Sequence, residues 1–211
     1  MTVFFTSDLH LGHRGIIGMN GRPFDDVGQM ERRLVSNINE RVARDDTLWI
    51  LGDVSHRVGK PYVLSCLERI NCCDLRLVRG NHDKNWEEDG VFSEICDYKE
   101  LSLGGRRVVL FHYPIASWNG MHQGAIHLHG HSHNTFDYNV YNVAEERLVW
   151  DVGVDANGYR PISFDEIARE MGLDVTHDEA WKRAKRLAFE QARVEGGNYP
   201  AMHHHDMAGG L

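Results

Sequence analysis

The first half of the chain alternates between two hydrophobic rhythms. "TVFFTSD" from residue 2, "TLWILGD" from 47 and "DLRLVRGNHD" from 74 are short, nearly unbroken apolar runs that end in polar residues or glycine. Runs of that kind predict buried strands. Between the first two, residues 27–44, "VGQMERRLVSNINERVAR", place Met30, Leu34, Ile38 and Val42 four apart, the spacing of an amphipathic helix. Residues 61–70, "PYVLSCLERI", predict a second helix with Pro61 near its start, where a missing N–H costs nothing. Strand, helix, strand, helix, strand predicts a parallel sheet with helical crossovers.

The rhythm then changes. "RRVVLFHYP", "AIHLHGHSH", "TFDYNVYNV" and "RLVWDVGVD" read as strands without long helices between them, which predicts a more antiparallel second half packed beside the first. "SFDE" at 163–166 and "THDE" at 176–179 match the capping-box pattern, predicting helices over about 164–172 and 177–194. The stretch 196–211, "GGNYPAMHHHDMAGGL", has little to bury and reads as a flexible tail, its His203, His204 and His205 in solvent. One domain over residues 1–195 is the expected organisation, with no internal repeat.

Composition narrows the classes of function. The 211 residues carry 23 basic and 31 acidic side chains, a net charge of -8. That excludes a general affinity for long nucleic acid, which needs a basic surface, but leaves a small phosphate-bearing substrate open. Cys66, Cys72, Cys73 and Cys96 form no C-x-x-C pair and read as thiols in a reducing compartment. No secretory signal opens the sequence, and no apolar run nears the ~20 residues of a membrane span. A soluble, cytoplasmic protein with no membrane partner is expected.

Chemistry gathers where strands end. The first run closes with Asp8 and His10, two apart, so that an extended chain would aim both to one side. The second closes with Asp53, the third with Asn81, His82 and Asp83. Open α/β sheets collect ligands outside the carboxyl ends of their strands. His112 follows a further strand, and His131 and His133 stand at alternate positions in "HLHGHSH". Taken singly, each aspartate is a turn or cap residue and each histidine a satisfied structural group. Taken together, Asp8, His10, Asp53, Asn81, His112, His131 and His133 form a metal-ligand set. Oxygen and nitrogen donors without thiolate suit Mn²⁺, Fe²⁺, Co²⁺, Ni²⁺ or Zn²⁺ better than Ca²⁺. Seven ligands exceed one ion and suit two that share a carboxylate. His127 and His129 read as partly buried strand residues on one side, or as groups that orient the ligand imidazoles.

The ordered set "DLH", "GD", "GNHD", "H" and "GHSH", spread from Asp8 to His133, strongly resembles the calcineurin-like metallophosphoesterases. "FTSDLHLGHRGII" and "RPF" resemble small single-domain bacterial or phage members. The resemblance implies a four-layer αββα sandwich of two mixed β-sheets flanked by helices, with a dinuclear site at one sheet edge. It implies one ion on Asp8, His10, Asp53 and His133, and another on Asp53, Asn81, His112 and His131. Mn²⁺ is the first candidate for both, with Fe, Ni, Co or Zn as alternatives. His82 is implied to be catalytic, facing the substrate.

One stretch departs from the family pattern. Many members read G-D-x-x-D-R, where the second aspartate supports the histidine. Here "GDVSHR" puts His56 at that position, followed by Arg57. His13, Arg14, His56 and Arg57 are candidate substrate contacts, as is Arg22; His13 and His56 read equally as loop residues. The expected reaction is hydrolysis of a small phosphoester, a phosphodiester first and a nucleotide diester among the candidates. Hydroxide held between two divalent ions would attack phosphorus in line, with His82 protonating the leaving alkoxide or stabilising the phosphoryl oxygens. The alternatives are a phosphomonoesterase or protein phosphatase, a non-catalytic scaffold of the same fold, and simple metal storage or sensing. The complete ligand set and the presence of His82 favour the enzyme.

Overall fold

The apolar runs form strands because both of their faces are covered. In the computed structural model, residues 1–135 and 137–173 are described, within one compact unit, Met1–Val175. In chain order the elements are β1 (Val3–Thr6), α1 (Gly15–Met19), α2 (Val27–Arg41), β2 (Thr47–Ile50), α3 (Lys60–Leu67), β3 (Asp74–Val78), β4 (Glu94–Cys96), β5 (Lys99–Leu103), β6 (Arg106–Leu110), β7 (Ile126–His129), α4 (Tyr138–Ala144), β8 (Val149–Asp151), β9 (Ile162–Ser163) and α5 (Phe164–Glu170).

Two mixed sheets result. The first has the order β4-β3-β2-β1-β9, with β1 to β4 parallel and β9 antiparallel to β1. The second has the order β5-β6-β7-β8. Successive side chains on a strand point to opposite faces, and the burial follows that alternation. Phe5, Trp49, Leu51 and Val78 share a core with Val108, Leu110, Ile126, Leu128 and Trp150, so this layer joins the two sheets. Phe4, Leu48, Ile50, Leu75 and Leu77 pack instead with Met30, Leu34 and Ile38 of α2 and Val63 and Leu67 of α3. The spacing of Met30, Leu34 and Ile38 therefore reports the stripe of α2 that faces the first sheet. Asp26 starts that helix by accepting a hydrogen bond from the Gln29 N–H at 2.7 Å.

Two expectations for the second half are corrected. β6–β7 and β7–β8 are parallel, and β5–β6 is the antiparallel pair. A parallel pair needs a crossover of a dozen or more residues, and the segment 111–125 supplies one with only a single short turn of helix, Met121–Gln123. The run "TFDYNVYNV" is not a strand: it holds α4. Its apolar residues Val140, Tyr141 and Val143 are exposed, and its buried residues are Asn139 and Asn142. The Asn139 side chain bonds the backbone of Asp151 both ways, at 2.9 and 2.7 Å, fastening α4 to β8.

The expected helix over 164–172 is present as α5, with both halves of the Ser163–Glu166 capping box formed. The helix expected over 177–194, the domain limit at 195 and the tail 196–211 lie outside the described residues. Among the described residues, no helix is long and apolar enough to cross a membrane.

Candidate metal centre

The parallel strands β1, β2, β3, β6 and β7 deliver their carboxyl ends to one edge, where five short segments are stitched together. Asp8 N–H donates to Gly52 O at 3.0 Å, His10 N–H to Asp53 O at 3.1 Å, and Gly130 N–H to His112 O at 2.9 Å. The Asp83 carboxylate accepts from the N–H groups of Asp53 at 2.6 Å, Gly80 at 2.9 Å and Val54 at 3.1 Å. Burial pushes its pKa up while these backbone bonds pull it down. Gly52 and Gly80 allow this closeness: a Cβ on Gly80 would stand 2.6 Å from Asp53 N, and one on Gly52, at φ +95°, would stand 2.7 Å from Gly80 Cα.

The ligand pairs are not on extended chain, which corrects the alternate-side expectation. Asp8, His10, Asp53, His131 and His133 have φ of 58°, 49°, 54°, 67° and 47°. Left-handed backbone is uncommon for residues other than glycine and persists where the surroundings enforce it, often at functional sites.

The seven candidate ligands nevertheless meet. Asp8, His10 and His133 form one cluster and Asp53, His112 and His131 another, with donor atoms in each within 4.8 Å of one another. His131 and His133, expected side by side, therefore divide between the clusters. Asp53 stands between them, its Oδ2 3.7 Å from His10 Nε2 and its Oδ1 3.7 Å from His112 Nε2. Asn81 Oδ1 lies 3.1 Å from His112 Nε2.

The donor chemistry fits cations on two independent counts. Asp8 Oδ1 and both ring nitrogens of His10 are buried without a hydrogen-bond partner, a costly state for polar atoms. His112 Nδ1 lies 2.7 Å from Leu51 O, so its proton belongs there. That leaves Nε2, 3.1 Å from Asn81 Oδ1, facing the site together with the Asn81 side chain. Burial, opposed by His133 and His112, raises the Asp8 carboxyl to about 7. Burial, reinforced by His133 and Arg22, holds the His10 imidazolium at about 2, so the ring is a neutral donor.

Asp155 is the residue that sequence reading missed. Its Oδ2 lies 2.9 Å from His133 Nδ1, which turns His133 Nε2 to within 3.8 Å of Asp8 Oδ1. Burial lowers the His133 pKa, but the Asp155 bond and the Asp8 and Asp155 charges outweigh it and the net shift is upward. Asp155 also takes both arms of Arg22, at 2.9 and 2.8 Å. The same guanidinium donates to Asp8 O at 2.8 Å and Leu9 O at 3.3 Å. Arg22 is 3% exposed. It is a buried brace, which corrects its reading as a substrate contact. Asp151, the buried last residue of β8, accepts from Gly153 N–H at 2.7 Å and Asn134 N–H at 3.3 Å and so holds the turn that carries His131 and His133.

His127 and His129 do face one side, and both are fully buried rather than partly so. They lie on the face of β7 away from Ile126 and Leu128. His127 stacks at a tilt 5.3 Å from Trp118 and bonds Tyr113 O at 3.2 Å. His129 Nδ1 bonds Gly130 O at 2.8 Å.

At the mouth, His82 Nε2 lies 3.8 Å from Asp53 Oδ2, and its side chain is 30% exposed. Its Nδ1 lies 2.8 Å from His56 Nδ1. Half-buried His13 sets its ring 5.4 Å from that of His10 and 4.9 Å from that of His56. Arg14, preceding α1, and Arg57 are exposed.

Comparison with known proteins places this geometry. Residues 1–153 match the family model described as the calcineurin-like phosphoesterase superfamily domain. The chain is 28% identical over 168 residues to the uncharacterized protein MJ1445 of Methanocaldococcus jannaschii, covering 79% of this chain and 89% of that protein. It is 29% identical over 194 residues to the gene 66 protein of Mycobacterium phage L5, covering 78% and 91%. Among solved structures, the protein of unknown function AQ665 from Aquifex aeolicus aligns with a TM-score of 0.63 at 28% identity, over 80% of this chain and 98% of that one.

Proposed function

The chain belongs to the calcineurin-like phosphoesterase superfamily, and on that footing we propose that it is a dinuclear, metal-dependent phosphodiesterase. The observation that carries the reading is the shared carboxylate: Asp53 stands 3.7 Å from His10 on one side and 3.7 Å from His112 on the other. Asp8, His10, Asp53 and His133 would hold one divalent ion; Asp53, Asn81, His112 and His131 would hold the second. When bound, two such ions acidify water and neutralise charge on phosphoryl oxygens. The thiolate-free donor set suits Mn²⁺, with Fe²⁺, Co²⁺, Ni²⁺ and Zn²⁺ also accommodated.

The chain's own groups do the rest. Asp155, Asp151 and the Leu51 carbonyl keep the ligand rings and their turn in place, so little reorganisation is left for the reaction. His82 presents Nε2 toward the site and donates its proton to the leaving oxygen or to a phosphoryl oxygen. Its backbone N–H is bonded to Asp53 Oδ1 at 3.0 Å, which ties its position to the shared carboxylate. The diester is favoured over the monoester by what surrounds the mouth. Arg22 is committed to Asp155, leaving exposed Arg14 and Arg57, beside His13 and His56 in sequence, as the candidate phosphate contacts. A diester brings one negative charge and a monoester two.

The test is hydrolysis of bis-p-nitrophenyl phosphate against p-nitrophenyl phosphate, in Mn²⁺ and in chelator. The diester is expected to be the better substrate, with chelator abolishing turnover. Asp53→Asn is expected to cost more than the roughly 10–100-fold that loss of a supporting contact costs at a metal site. His82→Ala is expected to lower turnover by about 10²–10⁴ with metal content unchanged. Preference for the monoester would make the protein a phosphatase. Two bound metals without turnover of either ester would favour a scaffold.

A further inference from the structure

We propose that His56 is the positioning residue of His82, holding it through an imidazole–imidazole hydrogen bond. The inference rests on the reading of His82 as the group that faces substrate. The two Nδ1 atoms are 2.8 Å apart, and the ring centroids 3.8 Å apart at 55°. This separation is within hydrogen-bond distance.

Asp83, the carboxylate adjacent to His82 in sequence, is not available for this work. Its oxygens are occupied by the N–H groups of Asp53, Val54 and Gly80. The opposite nitrogen of His82 faces the site, 3.8 Å from Asp53 Oδ2. An N···N hydrogen bond holds one proton between two nitrogens, so one ring donates and the other accepts. With the shared proton on His56, His82 Nδ1 accepts, and the N–H that His82 points at a substrate oxygen as a hydrogen-bond donor is at Nε2. The pair thus selects the tautomer of His82 that points a donor at the substrate.

The choice of imidazole has a consequence for charge. A carboxylate at position 56 would orient His82 equally well but would set a negative charge beside an arriving phosphoester. His56 orients without that charge, and the His13 ring meets it edge-on with centroids 4.9 Å apart. His56 is therefore assigned to His82 rather than to the substrate.

The test compares His56→Ala, His56→Asn, His82→Ala and the double variant His56→Ala/His82→Ala in the metal-loaded protein. The substrates are diesters with p-nitrophenol or with an alkyl alcohol as leaving group. His56→Ala is expected to lose about 10–100-fold in kcat on the alkyl ester, less on the nitrophenyl ester, with KM and metal content unchanged. Asparagine carries a polar atom at the same bond position as Nδ1, so His56→Asn should recover most of the loss. The double variant should be no worse than His82→Ala, because the two residues act as one unit. Ring ¹⁵N spectra of the Zn²⁺-loaded protein should show His82 as the Nε2–H tautomer in the wild type and as a mixture in His56→Ala. Wild-type kcat in His56→Ala beside a crippled His82→Ala would overturn the inference, as would losses that add independently or an unchanged His82 tautomer. A fully active His82→Ala would instead remove the reading of His82 itself.

Discussion

At the scale of single residues, the site is built from side chains whose backbone is held in an unfavourable region. Five of the seven candidate ligands have positive φ, and each is fixed by contacts from a distant segment. Residue types and their places at strand ends were readable in the sequence, because a strand end is a local event. The left-handed conformations were not, because they are imposed by partners far along the chain. Asp155 makes the point most sharply: it is 133 residues from Arg22 and lies just past the matched stretch 1–153. Only its place as the last residue of the run "RLVWDVGVD" hinted at it. Asp155→Ala leaves the Arg22 guanidinium buried without its partner, and breaking such a pair costs about 3–5 kcal/mol. The same change frees the His133 ring and should weaken metal binding at the Asp8 cluster by roughly 10–100-fold. Denaturant unfolding and metal titration check both, and unchanged values in the variant would show that Asp155 is dispensable.

At the scale of elements, burial decided which expectations held. β1, β2, β3 and α2 were legible because their periodicity reports the faces they bury. α4 was misread because its exposed Val140, Tyr141 and Val143 imitate a strand pattern while its anchors are asparagines. α5 was legible from its capping box alone, and Ser163→Ala should cost about 1 kcal/mol in unfolding free energy. The start of β3 carries a pH dependence. Hydrogen bonds from Arg76 first, then from Ser93 and Thr47, hold the Asp74 carboxyl down at about 2 against burial. A carboxyl depressed in the folded state adds stability above its unfolded pKa of about 3.9 and loses it as pH falls through the folded value. Asp74→Asn should therefore lower the thermal midpoint at neutral pH, and the deficit should shrink toward about pH 2. A deficit independent of pH would assign the effect to packing.

At the scale of the whole molecule, two mixed sheets share one core layer and leave the carboxyl ends of five parallel strands at a common edge. Of the first sheet, β1, β2 and β3 could be read from local runs; β4 and β9, three and two residues long, could not. The second sheet could not, because its parallel pairing depends on a 111–125 crossover with little regular structure to announce it. Since the clusters draw on segments from both sheets, cation binding should stabilise the fold as a whole, by about 2.7 kcal/mol at a hundredfold excess over Kd. A thermal midpoint that rises in Mn²⁺, falls in chelator and loses its Mn²⁺ response in Asp53→Asn would show that coupling; a midpoint indifferent to Mn²⁺ would deny it. The most direct test of the central claim is anomalous diffraction at the manganese edge from crystals grown in Mn²⁺. The account predicts two peaks, one among Asp8, His10 and His133 and one among Asn81, His112 and His131, with Asp53 bridging them. A single peak, or peaks away from Asp53, would contradict it.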